Sequence, residues 1–315
     1  MQSNDSEYLW VERYRPKCID DVILPSSLKK IFKQYVDQKN VPNLIFAGTA
    51  GVGKTTVAKA LLEELGCDYI VINASMHGNI DTLRNDIMRF ASSVSLAGGR
   101  KYVILDEADY LNPNSTQPAL RNFIEEFSSN CGFILTCNFP KRIIEPLHSR
   151  CPVVDFKIEK SEIPGLCGLF LKRLTAILKE EKIEFEMPVL AQVIGKFFPD
   201  WRRILNELQT YAATGKIDSG ILSKIKSVDL KDLIVDLKGK NFTSVRRWIG
   251  ENSDVESSTF YRQLYDSAAE YVTIKSIPQL VLILAKYQYQ AAFVSDPELN
   301  NAACMVELMI DVEFR

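Results

Sequence analysis

The sequence predicts an α/β protein: a parallel sheet with helices on both faces, followed by all-helical modules. Residues 48–56, GTAGVGKTT, match the phosphate-binding pattern G-x-x-x-x-G-K-[ST] at every fixed position, directly behind the apolar run 43–47. Short β-branched or apolar runs recur at 69–72, 101–105 and 133–136. Helical spacings lie between them, such as Leu83, Ile87, Phe90, Ala91 and Val94, and this alternation marks a parallel sheet. Around residue 156 it stops, and from Ser161 onward only helical patterns remain.

The 315 residues exceed one ordinary core and predict two or three domains. A hydrophobic content of 46% and a charged content of 25% fit a soluble globular chain. No apolar stretch is long enough for a bilayer, and MQSNDSEYLW lacks a charged-then-apolar leader, so a cytoplasm is expected, with no membrane partner. Seven cysteines, an odd number without a C-x-x-C pair, fit neither a disulfide framework nor a zinc site. A net charge of -2 does not imply a broad nucleic-acid surface, though a local basic groove is compatible with it.

In chain order, residues 9–25 (LWVERYRPKCIDDVILP) show no helical period and read as a segment packed across another surface. Ser26 or Ser27 is expected to cap a helix to about Asp37, with Leu28, Ile31, Phe32 and Tyr35 on one face. In the glycine-rich turn, the backbone N–H groups of Gly51, Val52, Gly53 and Lys54 can wrap a phosphate, and the following helix adds positive potential. Lys54 reaches β- and γ-phosphates as a point charge. Thr55 offers a hydroxyl to magnesium, with Thr56 in support.

Residues 101–109, KYVILDEAD, form a buried strand that ends in two acids. Asp106 can orient the magnesium and Glu107 can take a proton from the attacking water, although paired acids also occur in solvated turns. Residues 114–127 start a helix with Pro118 in its first turn. The strand GFILTCN then delivers Asn138 beside the phosphate loop, as a water-orienting amide or simply as a turn residue before Phe139-Pro140. Leu166, Leu169, Phe170, Leu174, Ile177 and Leu178 predict an amphipathic helix, and another opens near Met187-Pro188. PDWRRILNELQ opens a third helix capped by Asp200. Its Arg202 and Arg203 sit at the wrong end of the helix dipole, either solvated or facing an anion. From about Val228 come helical periods with no chemical constellation, for example Phe260, Leu264, Ala268 and Ala302, Val306, Met309.

Taken together, the phosphate loop, the Asp106-Glu107 strand end and the trailing helical modules resemble the AAA+ ATPases. WVERYRP, VINAS, Ser149-Arg150-Cys151 and PDWRRILNELQ narrow the resemblance to sliding-clamp loaders. It is closest to the large subunit of tailed-bacteriophage loaders and similar to replication factor C small subunits. The resemblance implies a AAA+ domain at 1–157, a helical lid at 158–227 and a helical collar for oligomerisation at 228–315. It implies an ATPase that uses ATP and Mg2+ to open a sliding clamp and load it on primer-template DNA for replication. The expected partners are the clamp and other loader subunits, further copies of this chain plus a smaller non-ATPase subunit, in the host cytoplasm if a phage encodes it. Val11, Glu12, Arg13, Tyr14 and Ile23 would line the adenine pocket, Asn138 would be the sensor asparagine, and Arg202 the lid arginine that contacts nucleotide in cis. Asn73 would hold Glu107 until DNA arrives, and Arg150 would act in trans on a neighbour's γ-phosphate. DNA would be tracked along its backbone by the helix starts near 79–81 and 114–117, with Arg84 and Arg121 close by. Two alternatives are another AAA+ motor, for protein remodelling or helicase loading, and a non-hydrolysing nucleotide-binding scaffold.

Overall fold

Alternation along the central strands decides the layers. The computed structural model describes residues 8–75, 80–94, 99–213, 215–224, 230–252 and 257–315. The five strands of its main sheet are β1 (Leu44–Ala47), β2 (Tyr69–Asn73), β3 (Lys101–Asp106), β4 (Cys131–Cys137) and β5 (Val153–Asp155), in the order β2-β3-β4-β1-β5. All pairs are parallel. Helices α2 (Ser26–Gln38), α3 (Lys54–Glu64), α4 (Ile80–Ser92), α5 (Thr116–Glu126) and α6 (Glu145–His148) surround it, and the short α1 (Trp10–Arg13) precedes them.

Because side chains alternate along a strand, Ile45, Val103, Leu105, Phe133 and Leu135 face one way and pack on Leu83 and Ile87 of α4 and Leu120 of α5. Leu44, Phe46, Ile104 and Ile134 face the other way onto Phe32 of α2 and Val57 and Leu61 of α3. Each such fully buried aliphatic or aromatic side chain contributes about 1.5–3 kcal/mol. Parallel strands put their carboxyl ends on one edge. The register sets Ala47 beside Cys137 and Asn73 beside Asp106, so the residues that follow β1, β3 and β4 emerge together.

Two expectations for this region change. The segment at 9–25 is not wholly irregular: α1 and a 3-10 turn at Ile19–Asp21 bury Trp10 and Ile19. The capping residue of α2 is Pro25, with no side-chain bond, and Ser26 already lies inside the helix. Proline fits a helix entry because its φ is preset.

Next come α7 (Ile163–Glu180), β6 (Glu184–Phe185), α8 (Met187–Phe197), α9 (Trp201–Ala212), β7 (Lys216–Ile217) and α10 (Gly220–Lys224). Their core is Leu166, Phe170, Leu174, Ile177, Leu190, Val193, Ile204 and Leu208. Leu169, expected on the buried face, is 51% exposed because it stands at the edge of the 166–170–174 stripe. Asp200 caps α9 as expected, its Oδ1 accepting from Arg203 N at 2.9 Å.

By internal contacts, the chain divides into two compact units, Met1–Leu222 and Ser223–Arg315, so the sheet and the helical module after it share the first. The second contains α11 (Leu230–Lys238), α12 (Phe242–Glu251), α13 (Ser257–Tyr271), α14 (Ile277–Ala291) and α15 (Pro297–Asp311). Phe260, Leu264 and Ala268 are buried as their spacing predicts. On α15 the stripe falls on Cys304, Met305, Leu308 and Met309, leaving Ala302 and Val306 only partly covered. Among the described residues, no helix is long and apolar enough to cross a membrane.

Candidate functional site

β1 ends in a turn that only glycine builds. Gly51 and Gly53 have φ of 73° and 96°, left-handed values that cost an L-residue roughly 1–2 kcal/mol. An ideal Cβ on Gly51 would also lie 1.8 Å from Asp200 Oδ1, because the start of α9 rests directly on the loop. Trp201 N donates to Gly51 O at 3.2 Å.

Lys54, 8% exposed, donates from Nζ to Gly48 O, Thr49 O and Asn138 Oδ1, each at 2.8 Å. Burial lowers its pKa from the ordinary lysine value. Asn138 therefore stands at the phosphate loop, as the strand order requires. Thr55 Oγ1 donates to Asp106 Oδ1 at 2.6 Å, joining the start of α3 to the end of β3. That hydroxyl and carboxylate are hard oxygen donors that suit Mg2+. Among the described residues, no group of three or more His, Cys, Asp or Glu could hold a metal, so an ion here would take the rest of its shell from water or from phosphate oxygens.

Glu107 adopts φ 58°, an uncommon left-handed conformation for a side chain of its size. Thr136, 1% exposed, holds this corner. Its Oγ1 accepts from Glu107 N at 3.1 Å and donates to Asp106 Oδ1 at 2.6 Å. Asp109 supports the facing strand end, with Oδ2 accepting from Asn138 N at 3.2 Å and Phe139 N at 3.1 Å. Sequence reading missed both roles. A threonine inside the apolar run FILTC and a third acid in DEAD were the available signals.

Beside the loop opens a cleft lined by both apolar and charged side chains. Val11, Tyr14 and Ile23 line it with Gly51 to Thr56, and Phe170, Trp201 and Arg202 close it from the helical module. Arg202 and Arg203 have separate surroundings. Arg203 stacks over Phe197 and lies 3.9 Å from Glu207, while Arg202 borders the cleft and adds its charge to the field at Lys54 and Glu12.

Two residues expected in the cleft point elsewhere. Glu12 pairs with Arg15: burial opposes its ionisation, but the Arg15 hydrogen bond together with the charges of Arg15, Lys59 and Arg202 holds the carboxyl below its usual range. Arg13 pairs with Glu181. Arg15 was not anticipated. It lines the cleft and donates to Thr56 Oγ1 at 3.1 Å.

Arg150 lies outside its own chain's cleft. Its Nε donates to Glu125 Oε1 at 2.7 Å, Nη2 to the same oxygen, and Nη1 to Pro146 O at 2.8 Å and Ser149 Oγ at 3.1 Å. Asn73 Oδ1 accepts from Ser75 N and Oγ at 2.9 and 2.7 Å. Of the expected DNA contacts, Asn79 lies outside the described residues. Gln117 is wholly buried, bonding Leu111 O, Arg142 O and Ile144 N, so it cannot meet a ligand at the surface. Asn112, not Asn114, makes the turn before α5, through Asn114 N and Ser115 N.

Comparison with known proteins adds a second line. Residues 44–159 match the ATPase family associated with various cellular activities (AAA), and residues 169–223 match the sliding-clamp-loader large subunit AAA+ ATPase lid domain. The chain is 32% identical to the sliding-clamp-loader large subunit of Enterobacteria phage T4 over 99% of both chains, and 34% identical to that of Escherichia phage RB69, again over 99% of both. A replication factor C small subunit of Methanosphaera stadtmanae is 30% identical over 96% of this chain and 97% of its own. Among solved structures, the Thermotoga maritima RuvB Holliday junction branch migration motor superposes with a TM-score of 0.51 at 21% identity, covering 67% of this chain and 71% of its own, a likeness of fold alone.

Proposed function

Because the chain belongs to the sliding-clamp-loader branch of the AAA ATPases, we propose that it is the ATP-hydrolysing subunit of a loader that opens a sliding clamp and places it on primer-template DNA. The observation that carries the catalytic part is the hydrogen-bonded joining of Lys54 to Asn138 and of Thr55 to Asp106 at the carboxyl edge of the sheet.

On this reading, Lys54 leaves the Gly48 and Thr49 carbonyls for the β- and γ-phosphate oxygens, and the loop N–H groups hold the β-phosphate. Asn138 then orients a water in line with the γ-phosphorus. Glu107 takes that water's proton as its oxygen bonds to phosphorus and the bond to the β-phosphate oxygen breaks, giving ADP and phosphate. Thr55 and Asp106 would hold Mg2+, which when bound neutralises phosphate charge. Arg202 contacts the nucleotide in cis and couples closure of the 158–227 lid to occupancy. Arg150 serves a neighbouring copy, stabilising transition-state charge there, and the 228–315 collar joins copies to a smaller subunit. DNA contact is through the phosphate backbone, with Arg84 and Arg121 as the remaining surface candidates, and the compartment is a cytoplasm.

The test is steady-state ATPase of the assembled loader with and without clamp and primer-template DNA. Stimulation by both supports the proposal. A lone chain turning over at the full rate without either refutes it.

A further inference from the structure

The segment that walls one end of the cleft is fastened to two different bodies. Its first part is tied to the helical module. Trp10 N donates to Gln209 Oε1 at 3.0 Å, Gln209 Nε2 to Tyr8 O at 2.7 Å, and Tyr14 Oη to Glu181 Oε1 at 2.6 Å, beside the Arg13–Glu181 ion pair. Its second part is tied to the sheet domain. Arg15 reaches Thr56 Oγ1, Ile19 N donates to Glu64 Oε2 at 2.7 Å, and Lys29 Nζ donates to Asp20 O at 2.7 Å. One side chain bridges the two parts. Arg173, on α7 and half-buried at the edge of the cleft, donates from Nη2 to Tyr14 O and from Nη1 to Asp21 O, both at 2.7 Å.

We propose that Arg173 is a positioning residue for the nucleoside part of the substrate: its fork fixes the spacing between the Tyr14 and Asp21 carbonyls, and with it the wall of the base pocket. The inference rests on the cleft taking a nucleoside triphosphate. A planar guanidinium is suited to the task because its donors sit at a fixed separation on a rigid fork, whereas an ammonium offers them from a single point on a flexible stem. Arg173 meets two backbone carbonyls, and the phosphates fall to Lys54 and the loop N–H groups at the other end of the cleft. Its influence therefore falls on the base and sugar. The stem also belongs to α7, so any shift of the helical module pulls on both carbonyls and changes how the pocket grips a base.

The experiment compares full-length wild type, Arg173→Ala and Arg173→Lys for binding of ATP, GTP and inorganic tripolyphosphate, a ligand with no base, and for kcat and KM of ATP hydrolysis in the assembled loader. Expected are a tenfold or greater loss of ATP affinity for the alanine variant and a severalfold loss for lysine. ATP-over-GTP preference narrows in both, tripolyphosphate affinity is unchanged, and the kinetic defect appears in KM while kcat stays within about twofold. Equal weakening of ATP and tripolyphosphate overturns the proposal, because Arg173 would then act on phosphate. The lysine variant keeps the charge and most of the stem packing, so it decides the matter if the alanine variant does not fold; ATP binding at the wild-type level in Arg173→Lys also overturns it. Failure of wild type to bind ATP would instead strike at the nucleotide reading itself.

Discussion

Gly51→Ala separates the two demands made on the phosphate loop. At both Gly51 and Gly53, an added Cβ meets left-handed backbone strain of roughly 1–2 kcal/mol, partly offset by the less flexible unfolded chain of alanine, about 0.4–1 kcal/mol. Gly53 has nothing within 4 Å of its ideal Cβ, so Gly53→Ala should destabilise by about 1 kcal/mol. At Gly51 the same atom lies 1.8 Å from Asp200 Oδ1, 2.3 Å from its Cγ and 2.9 Å from its Cα. Asp200 could swing away, but it would give up the cap to Arg203 N, about 1 kcal/mol, and its Cα can only move with α9. Overpacking adds roughly 1–3 kcal/mol, so Gly51→Ala should lose about 3–5 kcal/mol in total. Urea or thermal denaturation of both variants checks this, at about 2–4 °C per kcal/mol for a unit of this size. ATP binding should weaken more for Gly51→Ala as well, since displacing α9 moves Trp201 and Arg202 at the cleft. Equal stability losses in the two variants would show that the lid does not rest on the loop, and the account of Gly51 would fail.

Glu107→Gln should retain ATP binding and lose turnover by a factor on the order of 10²–10⁴, measured by nucleotide titration beside steady-state hydrolysis; unchanged turnover would favour a scaffold subunit. Thr136→Val removes both the acceptor of Glu107 N and a donor to Asp106, a loss of about 1–3 kcal/mol in holding that corner, and should lower kcat roughly 10- to 100-fold with ATP affinity nearly intact. Arg150→Ala should leave nucleotide binding by the isolated chain unaltered and reduce DNA-stimulated hydrolysis in the assembly by about 10³-fold or more, compared in parallel assays. Glu125→Gln neutralises the carboxylate paired with Arg150 and should raise DNA-independent hydrolysis in the assembly severalfold; a rate at or below wild type would mean that the pair does not restrain the arginine.

A phosphate loop is a local pattern, so Lys54 and Thr55 follow from spacing alone, while Asp106 was singled out only by reading its strand end together with that loop. Asn138 was placed once the strand order was known, since only the parallel register sets Cys137 beside Ala47. What escaped was side-chain direction over long separations. Glu12 and Arg13 sit in a stretch whose companions Val11 and Tyr14 do line the cleft, yet one carboxylate on α7's far end, Glu181, draws Arg13 away. Gln117 read as a surface residue at a helix start because glutamine is usually exposed. It is buried because three backbone groups from two segments, Leu111 and 142–144, converge on its amide. On α15 the sequence period was correct in length and displaced by about one residue, as expected when polar Asn300 and Asn301 share the buried face with Cys304 and Met305.

The position of Arg150 bears on why such a chain would work poorly alone. A guanidinium grips a phosphate best with two N–H groups from one edge. One edge of Arg150, Nε with Nη2, is already spent on Glu125, and Nη1 is shared between Pro146 O and Ser149 Oγ. No edge therefore has both its nitrogens free. On the proposed reading, gripping a neighbour's γ-phosphate with one edge requires giving up either the Glu125 contact or one of the Nη1 contacts. The Glu125 pair is partly solvent-exposed, so it holds the arginine weakly. A polyanion at close range exceeds that easily, whereas thermal motion alone frees the arginine only part of the time. On that same reading, the pairing sets a low threshold that a correctly seated second copy would cross, and hydrolysis would depend on assembly without any change in the chain's own cleft.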